Sequence, residues 1–331
     1  MTVSLPAVGR DLHLAAAPET SWGVKPASGF EGLEVQFEHF ADLSSHQRAR
    51  PLADRLLAAP ALRQTSGIGA RLILPVSAES PVMMIFAALL GGSWQTGWPT
   101  LGQAVPASLI ANNRRSVARH LVPAGEETSL SFLRQCGPPA SRDHFGGLLI
   151  HEGRLVCSRE QGVTLEMRLL GRARAAATDT LPVAAASQPF AVTGPDFSLK
   201  LKLGGSTVTI AHLLRFELLA SWQDSRAVHV IGRTAPGRIV RGNLNLTGRV
   251  DFLLSDEALA DWIDTQKQGA VQLCLKDAAG RHLVLDLASV RVLSGARRTS
   301  GIADPVQASF SFDVLEPATG KPVTLIQATD S

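Results

Sequence analysis

Apolar positions along this chain recur at every second residue far more often than at every third or fourth, the period of strands with one buried face. Leu33, Val35 and Phe37 alternate with Glu34, Gln36 and Glu38. Another strand is predicted through Ala70–Leu74, after a Gly67/Gly69 pair that can tolerate a bulge or tight bend. Leu130, Phe132, Leu148, Ile150, Leu155 and then Val163, Leu165, Met167 and Leu169 mark three more. Further on, Phe197, Leu199, Leu201 and Leu203 alternate with Ser198, Lys200 and Lys202. Gly204-Gly205 then turns the chain into Val208 and Ile210, a hairpin by its turn chemistry. Leu214, Phe216 and Leu218 begin another strand, and Leu244 to Leu254 continue through Gly248. A second hairpin runs from Val271–Leu275 over the turn Asp277–Gly280 to Leu283–Leu287, followed by strands at Ala308–Val314 and Val323–Leu325.

The period changes at two places. Ser80 as cap, Pro81 at the first helical position and Gly91 past the end bracket a helix that is apolar nearly all round, hence buried on more than one side. Ser255 begins the other: Asp256 and Glu257 suit the positive end of a helix, and Leu259, Trp262 and Ile263 share one face. Three stretches lack periodicity. Residues 1–29 read as an extended arm, Ala41–Arg63 as a protruding loop, and Arg172–Pro189 as a linker rich in Ala, Thr, Ser and Pro.

Before the linker the order is strand, long loop, strand with glycine, capped helix and further strands; from Leu214 the same order recurs. The fold class expected is therefore mainly β, with two tandem modules, each of antiparallel sheets flanked by an α-helix. The divisions are an arm over 1–29, a first module over 30–175, a linker over 176–189 and a second module over 190–331. Each module has too few strands to close a barrel, and open sheet edges invite pairing with another chain.

Composition narrows the function. Hydrophobic residues make up 45 % and charged residues only 18 % of the 331, low for a surface that meets water everywhere. Thirty-two basic residues against 29 acidic give a net charge of +3, not the concentrated field of a dedicated nucleic-acid binder. The longest strongly apolar run, Pro81–Leu90, is half of what crosses a bilayer, and the N-terminal stretch lacks a secretory signal's pattern. Cys136, Cys157 and Cys274 are far apart and read as core thiols in a reducing compartment.

Candidate chemistry is sparse, and no catalytic, cofactor or metal residue is assigned. Asp143-His144 reads as a loop pair before a glycine turn rather than a dyad, and Ser66-Gly67-Ile68-Gly69 as a bulge, since it lacks the spacing of a nucleophile elbow. Glu257, Asp261 and Asp264 form a solvated acidic stripe. Asn245-Leu246-Thr247 matches a glycosylation acceptor without consequence in a cytoplasmic chain, and Met83, Met84 and Phe86 read as core or subunit interface.

One resemblance gathers these readings. Glu19-Thr20-Ser21-Trp22-Gly23 with Pro26 resembles the opening of the tail tube proteins of siphophages, whose tails are long and non-contractile. Gly91-Gly92-Ser93-Trp94, Ser129–Leu133 leading into His144-Phe145-Gly146-Gly147, Gly162–Gly171, and Ile239–Gly248 follow in the family's order. The resemblance implies two packed sheets flanked by a helix, joined between subunits into a wide barrel whose rings stack around a channel for double-stranded DNA. It implies a structural virion protein, assembled in the host cytoplasm, rather than an enzyme. Its partners would be itself, tail terminator, tape measure and tail-tip proteins, with DNA passing unbound and no membrane. With two modules per chain, three chains would make a pseudo-sixfold ring, the alternative being six. Another tail component on the same module (terminator, tail-tip or baseplate hub protein) is the runner-up. A bore that must not hold DNA should be polar, mixed or acidic, so Lys200 and Lys202 are the positions to examine. Stacking is expected from Ala41–Arg63 and residues 1–29, and removal of residues 1–20 is expected to leave folded subunits that do not polymerise.

Overall fold

The structure, a computed structural model, describes residues 12–43, 45–48, 61–97, 99, 115–137, 141–184, 188–192, 197–203, 206–210, 212–254, 259, 265, 268–299, 305–318 and 320–330. The first half runs β1 (Leu12–Pro18), β2 (Glu31–Leu33), β3 (Phe37–Asp42), β4 (Ser45–Arg48), β5 (Ala61–Thr65), β6 (Ile68–Pro75) and helix α1 (Ser80–Leu90). It continues with β7 (Trp94–Thr96), β8 (Arg115–Leu121), β9 (Leu130–Cys136), β10 (Arg142–Ser158), β11 (Gly162–Gly171) and β12 (Ala173–Ala176). The second half has β13 (Ser198–Leu203), β14 (Ser206–Ile210), β15 (Leu213–Trp222), β16 (Arg226–Val228), β17 (Arg238–Val240) and β18 (Leu244–Leu253). Last come β19 (Gln268–Lys276), β20 (Arg281–Arg298), β21 (Gln307–Val314) and β22 (Val323–Asp330).

Two long strands, β10 and β20, organise everything. Residues 149–158 of β10 and 290–298 of β20 belong to one long antiparallel sheet, ordered β3–β6–β11–β10–β15–β18–β21–β20. Residues 142–148 of β10 sit instead in a short sheet, β2–β1–β9–β10–β12. Residues 281–291 of β20 sit in another, β14–β13–β19–β20–β22–β8–β7. Register breaks at Ile150/Glu152 and at Val292/Ser294 mark the places where the two strands bend from sheet to sheet. The strands form one connected, barrel-like network, yet among the described residues no path of pairings returns to its start, so the long sheet stays open at β3 and β20.

Pairings made by the first half recur in the second. β1–β2 and β1–β9 are matched by β13–β14 and β13–β19. β3–β6–β11 is matched by β15–β18–β21, and β10 with β9, β11 and β12 by β20 with β19, β21 and β22. The two-stranded ribbon β4–β5 has its counterpart in β16–β17. β7 and β8 have no described counterpart: this insertion after α1 crosses to the other half and pairs with β22.

The core lies between long and short sheets. Phe132 and Phe145 bury there with Phe40 stacked on Phe145 at 4.1 Å, and Phe216, Phe252, Phe310 and Phe312 fill the second half. Gly248 has to be glycine, because a Cβ there would lie 2.1 Å from the Phe312 ring. Helix α1 buries residues on all sides, as its sequence predicts, and Gly91, with φ 63°, closes it in the left-handed conformation; Ser80, expected as its cap, is instead its first residue, with Glu79 at the N-cap making no side-chain cap bond and Pro81 in the first turn, while Ser80 Oγ donates to Glu31 at 3.1 Å. Met83 and Phe86 are buried and Met84 partly so, within this core.

Several expectations change. The alternation Leu33–Phe37 is two strands in different sheets: the chain hops at residues 34–36, so Leu33 is buried while Phe37 is exposed beneath the Arg71 guanidinium. Gly67/Gly69 makes no bulge, since β6 keeps unbroken register with β3 and β11; Leu43 lies close over Gly69 instead. Part of Ala41–Arg63 is strand, in β3 and the β4–β5 ribbon, and residues 49–60 lie outside the described residues. So do Gly204-Gly205, although Leu203 pairs with Ser206 across them, and the helix expected from Ser255, apart from helical, buried Leu259.

Residues 12–18 of the stretch expected as an arm are strand, and residues 1–11 lie outside the described residues. β1 is sheet, paired on both sides, with Leu14 to Ala17 buried. Removing residues 1–20 strips that strand from β2 and β9. The truncated chain is therefore expected to lose cooperative folding, seen as an early, broadened thermal transition by circular dichroism; a sharp transition at the full-length midpoint would show β1 to be dispensable.

Candidate functional site: a knot, a clamp and a wet face

Three of the quoted phrases, scattered over 129 residues of sequence, meet at Glu19. Its carboxylate accepts hydrogen bonds from Gly23 N (2.6 Å), Ser129 Oγ (2.7 Å), Ser131 Oγ (2.6 Å) and Gly147 N (2.7 Å). Trp22 Nε1 donates to Gly147 O at 3.1 Å. Gly147 has φ 70°, and a Cβ would meet Arg172 and Trp22, so glycine is required there. A carboxylate holding backbone and hydroxyl donors is a strong polar tie in a partly buried place. It fastens the β1–β2 connection to β9 and β10.

Asp143 and His144 are adjacent but serve different groups. Asp143 pairs with Arg134 (3.1 Å) and Arg174 (2.9 Å), whereas His144 Nε2 meets Ser131 Oγ at 3.1 Å. Burial, and then the charge of Lys25, push the His144 imidazole below its usual value against the pull of Glu19 and Asp179. Cys157 and Cys274 are buried and Cys136 is exposed, none of them in a disulfide; burial pushes the Cys157 thiol up. Glu257, Asp261 and Asp264 lie outside the described residues, and among the described residues no cluster of His, Cys, Asp or Glu could hold a metal.

A clamp joins the two halves. Arg241, between β17 and β18, is buried against the C-terminal end of α1, where its guanidinium donates to Ile150 O (3.2 Å) and Glu126 O (3.1 Å) and lies 3.4 Å from Ala88 O. It stacks on Trp222 at 4.3 Å, and Trp222 Nε1 donates to Leu89 O at 2.8 Å. Carbonyls at a helix C-terminus lack partners within the helix and carry the negative end of its dipole, so a cation suits them. Burial lowers the guanidinium's pKa. A single Arg in a polar loop carries no periodic signal, and the sequence does not single it out.

The long sheet has one face in the core and one in water. On the wet face arginines and carboxylates interleave: Arg71 with Glu166 (2.7 Å), Arg168 with Glu152 (3.5 Å) and Arg154 with Glu217 (2.7 Å) pair from strand to strand, and Arg249 pairs with Asp251 (2.9 Å) along β18. Arg215 also reaches Glu217. Burial would raise the Glu217 carboxyl, but the hydrogen bond and charge of Arg154, with Arg215, outweigh it and hold it below its usual range.

Lys200 and Lys202 are elsewhere. They lie on β13 in a short sheet, opposite Gln272 and Ala270, and line a small crevice with Asp286. Asp286 is fully buried and accepts from Gln272 Nε2 at 3.2 Å; burial raises its pKa to about 6, only partly offset by that hydrogen bond and by the charge of Lys202.

Open-edged antiparallel sheets with an ion-paired wet face define the class of fold, a β-scaffold. A family model described as phage tail tube protein matches residues 9–314, and the chain belongs to that family. The match fits a structural role in the tail tube of the virion, with self-assembly into a tube alongside other tail components. No curated protein matches the chain. Among the described residues no helix is long and apolar enough to cross a membrane.

Two substitutions probe these sites. Asp286 has a folded pKa of about 6 against an unfolded value of 3.8, so the unfolded state releases its proton first and stability falls as pH rises between those values. Asp286→Asn is expected to flatten that slope and to stabilise the fold by about 2 kcal/mol at pH 7, measured by urea unfolding across pH 3.5–7.5. Arg241→Met is expected to cost about 3 kcal/mol in the same assay, because the carbonyls of Ile150, Glu126 and Ala88 lose a charged donor in a buried place.

Proposed function

We propose that the chain is two copies of one module and that three chains close a pseudo-sixfold ring, the repeating unit of a tube that conducts double-stranded DNA. The observation that carries this reading is the pairing of β10 with β15, Glu152 to Ser158 against Ser221 to Arg215. In module terms it joins the last long-sheet strand of the first half to the first long-sheet strand of the second. The recurrence of pairings makes β20 the counterpart of β10 and β3 the counterpart of β15. β20 of one chain then pairs with β3 of the next by the same rule, and each ring seam repeats a junction already made inside the chain.

Matching Arg71 to Arg249 and Gly153 to Gly295 sets the register, with Ala296 opposite Ala41 as Arg154 is opposite Leu219. Residues 293–298 are exposed, as a strand awaiting a neighbour would be. Eight long-sheet strands per chain give 24 in a trimer. With strands ~4.8 Å apart and tilted by ~40°, that closes a barrel roughly 48 Å across at the backbone, wide enough for a duplex with side chains on both walls.

The wet face is the reasonable lining. Cations that neutralise phosphates release the counterions of the DNA, and here most arginines already pair with a carboxylate on the same or the next strand, which reduces the charge left to retain DNA. Assembly from cytoplasmic subunits before incorporation into the virion accords with this reading.

The test is an inter-chain disulfide. In a Cys136→Ser background, Ala41→Cys with Ala296→Cys is expected to give, under oxidation, covalent species up to trimer, and negative-stain microscopy of the same sample should show rings or tubes. A monodisperse, uncross-linked particle at high concentration would reject both ring and seam.

A further inference from the structure

Beyond the seam, we infer that rings stack by a knob-in-pocket contact: the Val230–Ile231 tip of one chain enters an apolar pocket at the start of α1 in a second copy in the next ring. This rests on the tube reading and assigns its axial contact to particular residues. The tip lies in the loop 229–237 between β16 and β17, where Val230 is exposed and Ile231 wholly so, followed by Gly232 at φ 86°. A fully solvated Ile at a loop tip gains nothing in the free subunit, whereas burying it against a partner removes apolar surface from water.

The same subunit carries a receptor of fitting chemistry at its opposite end. A pocket of roughly 340 Å³ is lined by Phe30, Leu33, Pro75, Pro81, Val82 and Val183, the last 80 % exposed. Charge matches across the pair. Arg226, His229 and Arg233 are exposed around the tip, while Glu31 and Glu34 stand on the pocket rim.

Position is the decisive point. The loop rests on the start of β6, through Ser66 N donating to Thr234 O at 2.8 Å, and its base clamps the C-terminal end of α1 through Trp222 and Arg241. The pocket sits at the other end of the same two elements, at Pro75 and Pro81–Val82, about 16 Å along the helix. Knob and pocket therefore face opposite ways along the strand direction, at the two ends of one β6–α1 unit. Head-to-tail stacking of rings then presents the knob of one to the pocket of the next. Such a head-to-tail contact uses two different patches and so propagates as a filament instead of closing.

Two variants test it. Ile231→Asp spoils the knob and Val183→Asp spoils the pocket, and both positions are exposed, so far-UV circular dichroism is expected to be unchanged. Each variant alone is expected to form rings and no tubes by electron microscopy. When rings of the two variants, formed separately, are mixed, the intact knob of one meets the intact pocket of the other once, giving ring pairs that extend no further. Long tubes from either variant alone, or a mixture that stays as single rings, would overturn the knob-in-pocket contact while leaving the ring reading intact. Failure of the unsubstituted chain to form rings would instead remove the tube reading on which it rests.

Discussion

The backbone pairing of β10 with β15 is the contact on which the rest of the molecule depends. It fuses two sheets of four strands into one of eight, so the wet face runs unbroken across both halves and a single core lies beneath it. Strand edges are strong donors and acceptors that must be satisfied somewhere. One such pair of edges is satisfied within the chain, by β10 and β15, and the outer pair, at β3 and β20, stays open among the described residues. The clamp of Arg241 and Trp222 on α1 reinforces the same junction from the core side, by holding the helix of one half with side chains of the other.

Long-sheet side chains divide cleanly by face. Leu72, Leu165, Leu155, Leu218, Val250 and Phe310 bury, while the neighbouring charged residues emerge and answer one another within and across strands. Exposed ion pairs contribute little to stability. Their effect is on what the sheet presents to solvent: a well-hydrated face on which these arginines are each matched by a carboxylate.

Much of this was legible in the sequence where one face is wet. Alternation located β6, β11, β13, β18, β19 and β21, and Pro81 and Gly91 marked the ends of α1, because a half-buried strand, a first-turn proline and a C-terminal glycine leave local marks; Ser80, expected as the cap, is the first helical residue instead. The signal failed where both faces are covered. β1 is Leu-His-Leu-Ala-Ala-Ala-Pro, four successive buried residues without alternation, and it read as an arm. It failed again at residues 34–36, where the alternation ran on while the chain changed sheets. The quoted phrases were informative in order but silent on purpose; only in three dimensions do Glu19, Ser129, Ser131 and Gly147 become one knot. Arg241 was invisible, since its role depends on carbonyls about 90 to 150 residues away.

The insertion that carries β7 and β8 has a consequence for folding speed. Its pairing with β22 brings Arg119 beside Gln327, their side chains hydrogen-bonded at 2.5 Å across 208 residues of chain. Closing so large a loop costs entropy before any contact repays it, and proteins dominated by such distant contacts fold slowly. That strand pair belongs among the late events of maturation, after the local hairpins have formed.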